Sequence, residues 1–183
     1  FGHPEKFCSD IEKTNWESAT VTTSNEEIID QIIQRMEIFY SSQVRPKPGL
    51  EKFLSILKME GVWMYVATAT HRRLTEKALK TAGIDHYFRG IVTSADAGNH
   101  KSESADIYEM AMRRLQSNKR DTVVFEDALH AIQTAKQAGF RVCAVYDPSA
   151  ESDQAEIQAL ADTYIRSFEE LTEVHPAQAP GGA

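Results

Sequence analysis

Two adjacent carboxylates, Glu126 and Asp127, stand where a short apolar segment gives way to a helix-forming one. The β-branched run Val123–Phe125 predicts a buried strand, and residues 128–138 predict a helix that Gly139 ends. Open α/β sheets build their sites at such strand ends, and two carboxylate oxygens suit Mg²⁺. In a purely structural interpretation, Asp127 caps the helix and Glu126 is a solvated residue of its first turn. The motif alone leaves both interpretations open.

Strands and helices alternate from residue 50 to residue 166, which predicts an α/β fold with a doubly wound, Rossmann-like parallel sheet. The predicted helices are residues 50–58, 74–82, 104–115, 128–138 and 152–161. The predicted strands are residues 62–68, 90–94, 123–125, 141–147 and 162–166. The strand at 62–68 is continuously apolar, so we expect it to be buried on both faces.

A further helix precedes this region. Ser24 or Asn25 predicts its cap, and its apolar stripe is formed by Ile28, Ile29, Ile32, Ile33, Met36, Phe39 and Tyr40. The prolines of residues 43–49 end it and predict an extended connector. We therefore expect an N-terminal helical segment at 1–43, an α/β core at 44–175 and a flexible Pro-, Ala- and Gly-rich tail at 176–183.

Three predicted strand ends carry polar chemistry. The first ends at Thr68-Ala69-Thr70, the loop after the second reaches Lys101, and the third ends at Glu126-Asp127. The carboxyl ends of parallel strands share one edge of a sheet. A hydroxyl, a lysine and two acids at that edge predict a site for a phosphate and a metal ion.

These motifs, in this order, resemble the haloacid dehalogenase (HAD) superfamily, in particular its β-phosphoglucomutase-like and phosphoglycolate-phosphatase-like branch. Val66–Thr70 is similar to the second family motif, and Lys101 with residues 106–108 is similar to the third. Residues 124–127, with Ala138-Gly139 downstream, are similar to the acidic fourth motif. The connector at 44–49 resembles the return from a helical cap to the core, so residues 1–43 would be a partial cap.

The resemblance implies a Mg²⁺-dependent phosphatase or phosphomutase that acts on a small phosphorylated metabolite through an aspartyl-phosphate. It assigns phosphate binding to Thr68, Ala69, Thr70 and Lys101, a catalytic part to Thr68 and Lys101, and the metal to Glu126 and Asp127. Each assignment has a structural alternative: Thr68 as a strand end, Thr70 as a helix cap and Lys101 as a solvated loop lysine. His71 and His130 flank the same region and are better explained as structural hydrogen-bonding residues.

The first family motif, an apolar strand that ends in the nucleophilic Asp-x-Asp, has no good counterpart. Asp10-Ile-Glu12 follows no buried strand, and both prolines of the third motif are missing around Lys101. In the family this first strand is central, between the strands predicted here at 62–68 and 123–125. Without it those two strands pair directly or take another partner, because buried unpaired edges are costly.

Two explanations remain open. Since the chain begins at Phe1, it is consistent with the C-terminal part of a longer enzyme whose N-terminal segment supplies the missing strand. Otherwise it is a degenerate, non-catalytic module that binds phosphate and metal or is completed by a partner strand. The first explanation predicts that these 183 residues alone show no turnover.

Composition limits the other possibilities. A net charge of −7 argues against nucleic-acid or anionic-membrane binding, and no apolar run reaches the length of a membrane span. No signal peptide is apparent at the start. Cys8 and Cys143 are far apart and lack metal-site spacing, which is typical of a reducing, cytoplasmic protein.

Overall fold

The computed structural model describes residues 24–42, 44–98 and 105–172 of the chain. Its helices are α1 (Asn25–Ser42), α2 (Leu50–Met59), α3 (Arg72–Thr81), α4 (Asp106–Arg114), α5 (Leu129–Gln137) and α6 (Gln154–Leu160). Its strands are β1 (Val66–Thr68), β2 (Ile91–Thr93), β3 (Val123–Glu126), β4 (Arg141–Val145) and β5 (Thr163–Ile165). The predicted alternation of helices and strands is confirmed.

Helix α1 begins where the sequence predicts. The Ser24 N–H donates to Glu27 Oε2 at 3.0 Å, and the Glu27 N–H donates to Ser24 Oγ at 3.3 Å, which forms a capping box. Arg73 of α3 donates to Glu37 of α1 at 3.1 Å. Ile33 is buried, whereas three other members of the predicted stripe are 42–55% exposed: Ile28, Ile29 and Ile32. Much of the apolar stripe therefore faces solvent.

The strands form two separate parallel sheets. In the first, β1 pairs with β2, with Ala67 opposite Val92. In the second, β4 lies between β3 and β5. Every pair is parallel, as predicted. Within the described residues β1 and β3 do not pair with each other, so each of these two strands has one edge without a strand partner.

Helix α2 packs against one face of the two sheets, and helix α4 packs against the opposite face. On β4, Ala144 belongs to the cluster that includes Ala111 of α4, whereas its neighbours Cys143 and Val145 belong to the cluster that includes Phe53 of α2. Since side chains alternate between faces along a strand, α4 and α2 lie on opposite sides. The α4 cluster also contains Val92 of β2 and Val124 of β3, and a third cluster joins Leu54 of α2 to Met64, which precedes β1.

The predicted burial of the strand at 62–68 and of β3 is wrong at several positions. Pairing of the predicted strand 62–68 begins only at Val66, and Val62 and Trp63 are each 46% exposed. Val123 and Phe125 of β3 are 41% and 37% exposed. These residues flank the unpaired edges of β1 and β3, where no strand in the described part of the chain covers them.

Candidate functional site

Glu126 is the last residue of β3, at the carboxyl end of the strand. Tyr108 of α4 donates its hydroxyl proton to Glu126 Oε1 at 2.7 Å. Burial raises the pKa of Glu126 to about 7, against the opposing hydrogen bond from Tyr108, and the neighbouring Asp127 charge raises it further. Burial also raises the pKa of Tyr108, and the negative charge of Glu126 adds to this. Glu126 therefore lies in strand β3 with its carboxylate bonded to Tyr108, and it is not a solvated residue of the first helical turn.

Asp127 follows β3 and remains about one third exposed. The N-cap residue of α5 is Ala128, and no side chain among the described residues caps this helix. The interpretation of Asp127 as the helix cap is therefore wrong, because the helix begins one residue too late for it. Its Oδ2 atom instead lies 3.6 Å from the Nζ atom of Lys47.

Lys47 joins the ends of β3 and β4. Its ammonium donates to Asp147 Oδ2 at 2.6 Å and to the carbonyl oxygen of Tyr146 at 3.0 Å. Burial by itself would raise the pKa of Asp147, but hydrogen bonds from Lys47 and Ser149 outweigh it and hold this pKa well below its usual range. One cation thus stands between two carboxylates.

Thr68 ends β1, as predicted. Its Oγ1 accepts a hydrogen bond from the Thr70 N–H at 3.1 Å, and its carbonyl oxygen accepts one from the Ser94 N–H at 3.2 Å. Since Oγ1 acts as an acceptor in this turn, the hydroxyl proton of Thr68 can be donated to an anion. The predicted cap role of Thr70 is wrong, because the N-cap residue of α3 is His71.

A buried hydroxyl lies beside this turn. Ser94, the first residue after β2, has a buried Oγ with no hydrogen-bond partner in the described part of the chain. Buried hydroxyls nearly always have a partner. Ser94 therefore offers a second hydroxyl next to Thr68.

Several predicted residues lie outside the described part. They are Lys101, which was assigned to phosphate, and Asp10 and Glu12, the nearest match to the first family motif. The side chains of His71 and His130 are exposed, and the roles assigned to Thr68, Ala69, Thr70, Glu126 and Asp127 stay predictions.

Sequence reasoning missed Lys47 and Asp147. Asp147 follows the apolar strand β4 just as Glu126 and Asp127 end β3, so the same rule could have identified it. Lys47 lies in a proline-rich connector with no local signal, and its contact is visible only in three dimensions. Within residues 24–42, 44–98 and 105–172, no group of three or more His, Cys, Asp or Glu side chains is arranged to hold a metal ion.

Comparisons with known proteins identify the family of the chain and several of its relatives. The family model for haloacid dehalogenase-like hydrolases matches residues 5–145. The chain is 33% identical over 132 residues to protein CbbY of Cereibacter sphaeroides, a match that covers 70% of this chain and 56% of that protein. It is 25% identical over 123 residues to the phosphorylated carbohydrates phosphatase of Thermotoga maritima, with coverage of 67% and 56%. The chain thus spans little more than half the length of these curated relatives.

Solved structures with a similar fold include CbbY as well. The crystal structure of CbbY from Rhodobacter sphaeroides in complex with phosphate matches with a TM-score of 0.73 at 23% identity. The match covers 93% of this chain and 75% of that one. Among the helices of the described residues, none combines the length and apolar character of a membrane span.

Proposed function

The chain belongs to the haloacid dehalogenase-like hydrolases, and from this premise we propose that it carries the phosphate- and metal-binding residues of a phosphatase or phosphomutase. The substrate of this proposal is a small phosphorylated metabolite. The observation that carries it is the set of acids at the ends of β3 and β4, Glu126, Asp127 and Asp147, with the hydroxyl of Thr68 at the end of β1. The names of relatives, among them the phosphorylated carbohydrates phosphatase of Thermotoga maritima and hexitol phosphatase B of Escherichia coli, support a phosphorylated sugar or polyol.

On the phosphate side, the hydroxyl of Thr68 donates to a phosphoryl oxygen. The backbone N–H of Ala69 and the turn at Thr70 lie beside it, and Lys101 neutralises the phosphate in this proposal. Donors fixed before the reaction stabilise the charge that phosphoryl transfer spreads over the equatorial oxygens.

The acids at β3 fit Mg²⁺. This ion usually binds through one or two carboxylates, several waters and the phosphate itself, so fewer than three protein acids suffice. Asp127 is accessible, and Lys47 is the one cation that the structure places between Asp127 and Asp147, so negative charge is in excess among these described side chains. Mg²⁺ held by Glu126 and Asp127 would neutralise charge on the phosphoryl group.

The proposed reaction proceeds through an aspartyl-phosphate. A carboxylate oxygen attacks phosphorus, the bond to the substrate oxygen breaks, and an acid protonates the departing alcohol. Water then attacks the same phosphorus and restores the carboxylate, or a second substrate hydroxyl does so in a mutase. Because no convincing Asp-x-Asp motif is found in the 183 residues, we propose that this nucleophile is missing from the chain.

This proposal is tested with p-nitrophenyl phosphate and Mg²⁺. We expect the 183-residue chain to release no burst of p-nitrophenol and to show no turnover. A burst that equals the protein concentration, and that Asp10→Asn abolishes, would place the nucleophile within this chain and overturn its proposed absence.

A second candidate function is a non-catalytic phosphate- and metal-binding module completed by a partner. The separation of the two sheets at β1 and β3 favours it, because an enzyme of this fold class needs a rigid crevice above its strands. Both candidates include a cytoplasmic setting, which the buried free thiol of Cys143 fits.

A further inference from the structure

Lys47 brings a positive charge to the edge of the sheet at which the candidate metal ligands lie. Its Nζ atom is 3.6 Å from Asp127 Oδ2 and 2.6 Å from Asp147 Oδ2. Among the described residues, Lys47 is the one cation that pairs with the Asp127 carboxylate. A cation that belongs to the chain therefore neutralises this carboxylate.

The two carboxylates hold Lys47 unequally. The ammonium donates hydrogen bonds to Asp147 Oδ2 at 2.6 Å and to the carbonyl oxygen of Tyr146 at 3.0 Å. Its separation of 3.6 Å from Asp127 Oδ2 exceeds the range of a hydrogen bond, so this contact is an ion pair only. Loss of the contact with Asp127 would therefore break neither hydrogen bond of Lys47.

Asp147 is a fixed anchor for the ammonium. Its side chain is 13% exposed, and its Oδ1 atom accepts hydrogen bonds from the Ser149 N–H at 2.9 Å and from the Ser149 hydroxyl at 2.6 Å. Each oxygen of this carboxylate therefore has a donor from the chain itself. Asp127, by contrast, is 32% exposed and can accept a further partner.

The backbone around Lys47 is also fixed in place. The flanking residues Pro46 and Pro48 restrict the conformation of the connector. The Pro48 carbonyl oxygen accepts hydrogen bonds from the Phe168 N–H at 3.2 Å and from the Ser167 hydroxyl at 3.3 Å. The ammonium is thus held at the ends of β3 and β4 by the backbone as well as by its own hydrogen bonds.

The Lys47 ammonium would compete with a magnesium ion for Asp127. Mg²⁺ binds carboxylate oxygens at about 2.1 Å, so an ion on Asp127 would be a near neighbour of an ammonium that lies 3.6 Å from the same carboxylate. The repulsion between a divalent and a monovalent cation a few ångströms apart weakens binding by about tenfold or more, even at the dielectric constant of water. The chain therefore carries a charge that opposes metal binding at this carboxylate.

We propose that Lys47 is a built-in competitor of Mg²⁺ for Asp127, which lowers the affinity of the site for the metal and gives up its contact with Asp127 when the metal binds. Its hydrogen bonds to Asp147 and Tyr146 are kept. The inference rests on the proposed Mg²⁺ site and adds what sets its affinity. Lys47 acts on the metal through Asp127 and is a positioning residue. Because this lysine belongs to the connector between α1 and α2, metal binding and the connector are coupled, and the coupling is reciprocal.

The test measures Mg²⁺ affinity by NMR, from the backbone amide shifts of Asp127 and Ala128 as magnesium chloride is added at constant ionic strength. Lys47→Met removes the ammonium but keeps a long side chain, and we expect it to bind Mg²⁺ about tenfold more tightly than the parent chain. Lys47→Arg keeps the charge and should stay close to the affinity of the parent. Lys52→Met removes the same charge from an exposed position on α2 and is the matched control, which should also follow the parent.

A second pair of variants keeps the test decisive if Lys47→Met unfolds because it leaves Asp147 unpaired. Asp147→Asn releases the ammonium to Asp127 and should weaken Mg²⁺ binding. The double variant Lys47→Met/Asp147→Asn carries neither charge of the ion pair and should bind Mg²⁺ at least about tenfold more tightly than Asp147→Asn. Competition also predicts that Asp147→Asn weakens binding less in the Lys47→Met background than in the parent chain.

The possible failures are distinguishable. If the parent chain binds Mg²⁺ and Lys47→Met binds it equally or more weakly, the inference is overturned and the proposed metal site stands. Equal tightening by Lys52→Met, or equal effects of Asp147→Asn in the two backgrounds, would likewise overturn the inference alone. Mg²⁺ binding by neither the parent chain nor any variant would overturn the proposed metal site together with the inference.

Discussion

The Nζ atom of Lys47 lies 2.6 Å from Oδ2 of Asp147, a residue one hundred positions further along the chain. This ion pair fastens the connector between α1 and α2 to the end of β4, and the same ammonium faces Asp127 at the end of β3. The Asp147 side chain is only 13% exposed, so its charge depends on this partner. Lys47 therefore stabilises the edge of the sheet at which the candidate site is found.

We predict that Lys47→Ala destabilises the chain by about 1–3 kcal/mol, the usual cost of leaving a partly buried charged group without its hydrogen bond. Lys52→Ala, an exposed lysine on α2, should change stability by less than about 0.5 kcal/mol. Urea unfolding of Lys47→Ala, Asp147→Asn and the double variant measures the coupling between the two side chains. Additive losses would show that the ion pair contributes nothing.

The pKa of Glu126 predicts an unusual dependence of stability on pH. Its folded-state pKa of about 7 lies above the ordinary glutamate pKa of 4.5, so the folded chain binds more protons than the unfolded chain between these pH values. The free energy of unfolding must therefore fall as pH rises from about 4.5 to about 7. Each pKa unit corresponds to about 1.4 kcal/mol, so the loss approaches about 3 kcal/mol.

Glu126→Gln removes this titration and keeps an acceptor for the Tyr108 hydroxyl. We expect the variant to gain stability over the parent chain at pH 8 but not at pH 4.5, by urea unfolding at both pH values. Glu60→Gln, at an exposed position after α2, serves as the control and should follow the parent. Parallel pH profiles of the parent and Glu126→Gln would contradict the assigned pKa.

Gly49 and Gly61 have nearly the same backbone conformation but different surroundings. Substituting each of them by alanine therefore distinguishes the cost of backbone strain from the cost of a steric clash. Gly49 and Gly61 have φ values of 75° and 73°. A Cβ atom at Gly61 meets nothing within 4 Å, whereas one at Gly49 collides with the backbone nitrogen of Glu169 and lies 2.8 Å from the carbonyl carbon of Phe168. Gly61→Ala should therefore cost about 1–2 kcal/mol from the left-handed conformation alone.

Gly49→Ala should cost clearly more than Gly61→Ala, because backbone atoms cannot move aside as a flexible side chain can. Thermal unfolding of both variants makes the comparison. Equal losses would mean that the packing of the connector against residues 168–169 is looser than the structure indicates.

The sequence predicted what depends on local pattern. The limits of α2 were predicted to within one residue because an apolar stripe lies between Gly49 and Gly61, and the start of α1 followed from its capping residues. The parallel strands followed from the alternation of elements. The position of Glu126 and Asp127 at the end of β3 also follows from local sequence.

The features that sequence reasoning missed depend on distant contacts. The strand at 62–68 was predicted too long because the length of a ladder is set by its partner, and β2 offers only three residues. The contacts of Lys47 with Asp127 and Asp147 join segments 80 and 100 residues apart. The raised pKa of Glu126 comes from burial in the folded chain, against the opposing hydrogen bond from Tyr108, and no local pattern records either effect.

We propose that this chain binds phosphate at a Mg²⁺ site that includes Asp127. Calorimetric titration with inorganic phosphate, with and without Mg²⁺, tests it most directly on the parent chain, Asp127→Ala and the exposed control Asp30→Ala. We predict binding that requires Mg²⁺, that is at least tenfold weaker in Asp127→Ala and that is unchanged in Asp30→Ala. Absence of binding by the parent chain, or equal binding by Asp127→Ala, would contradict the claim.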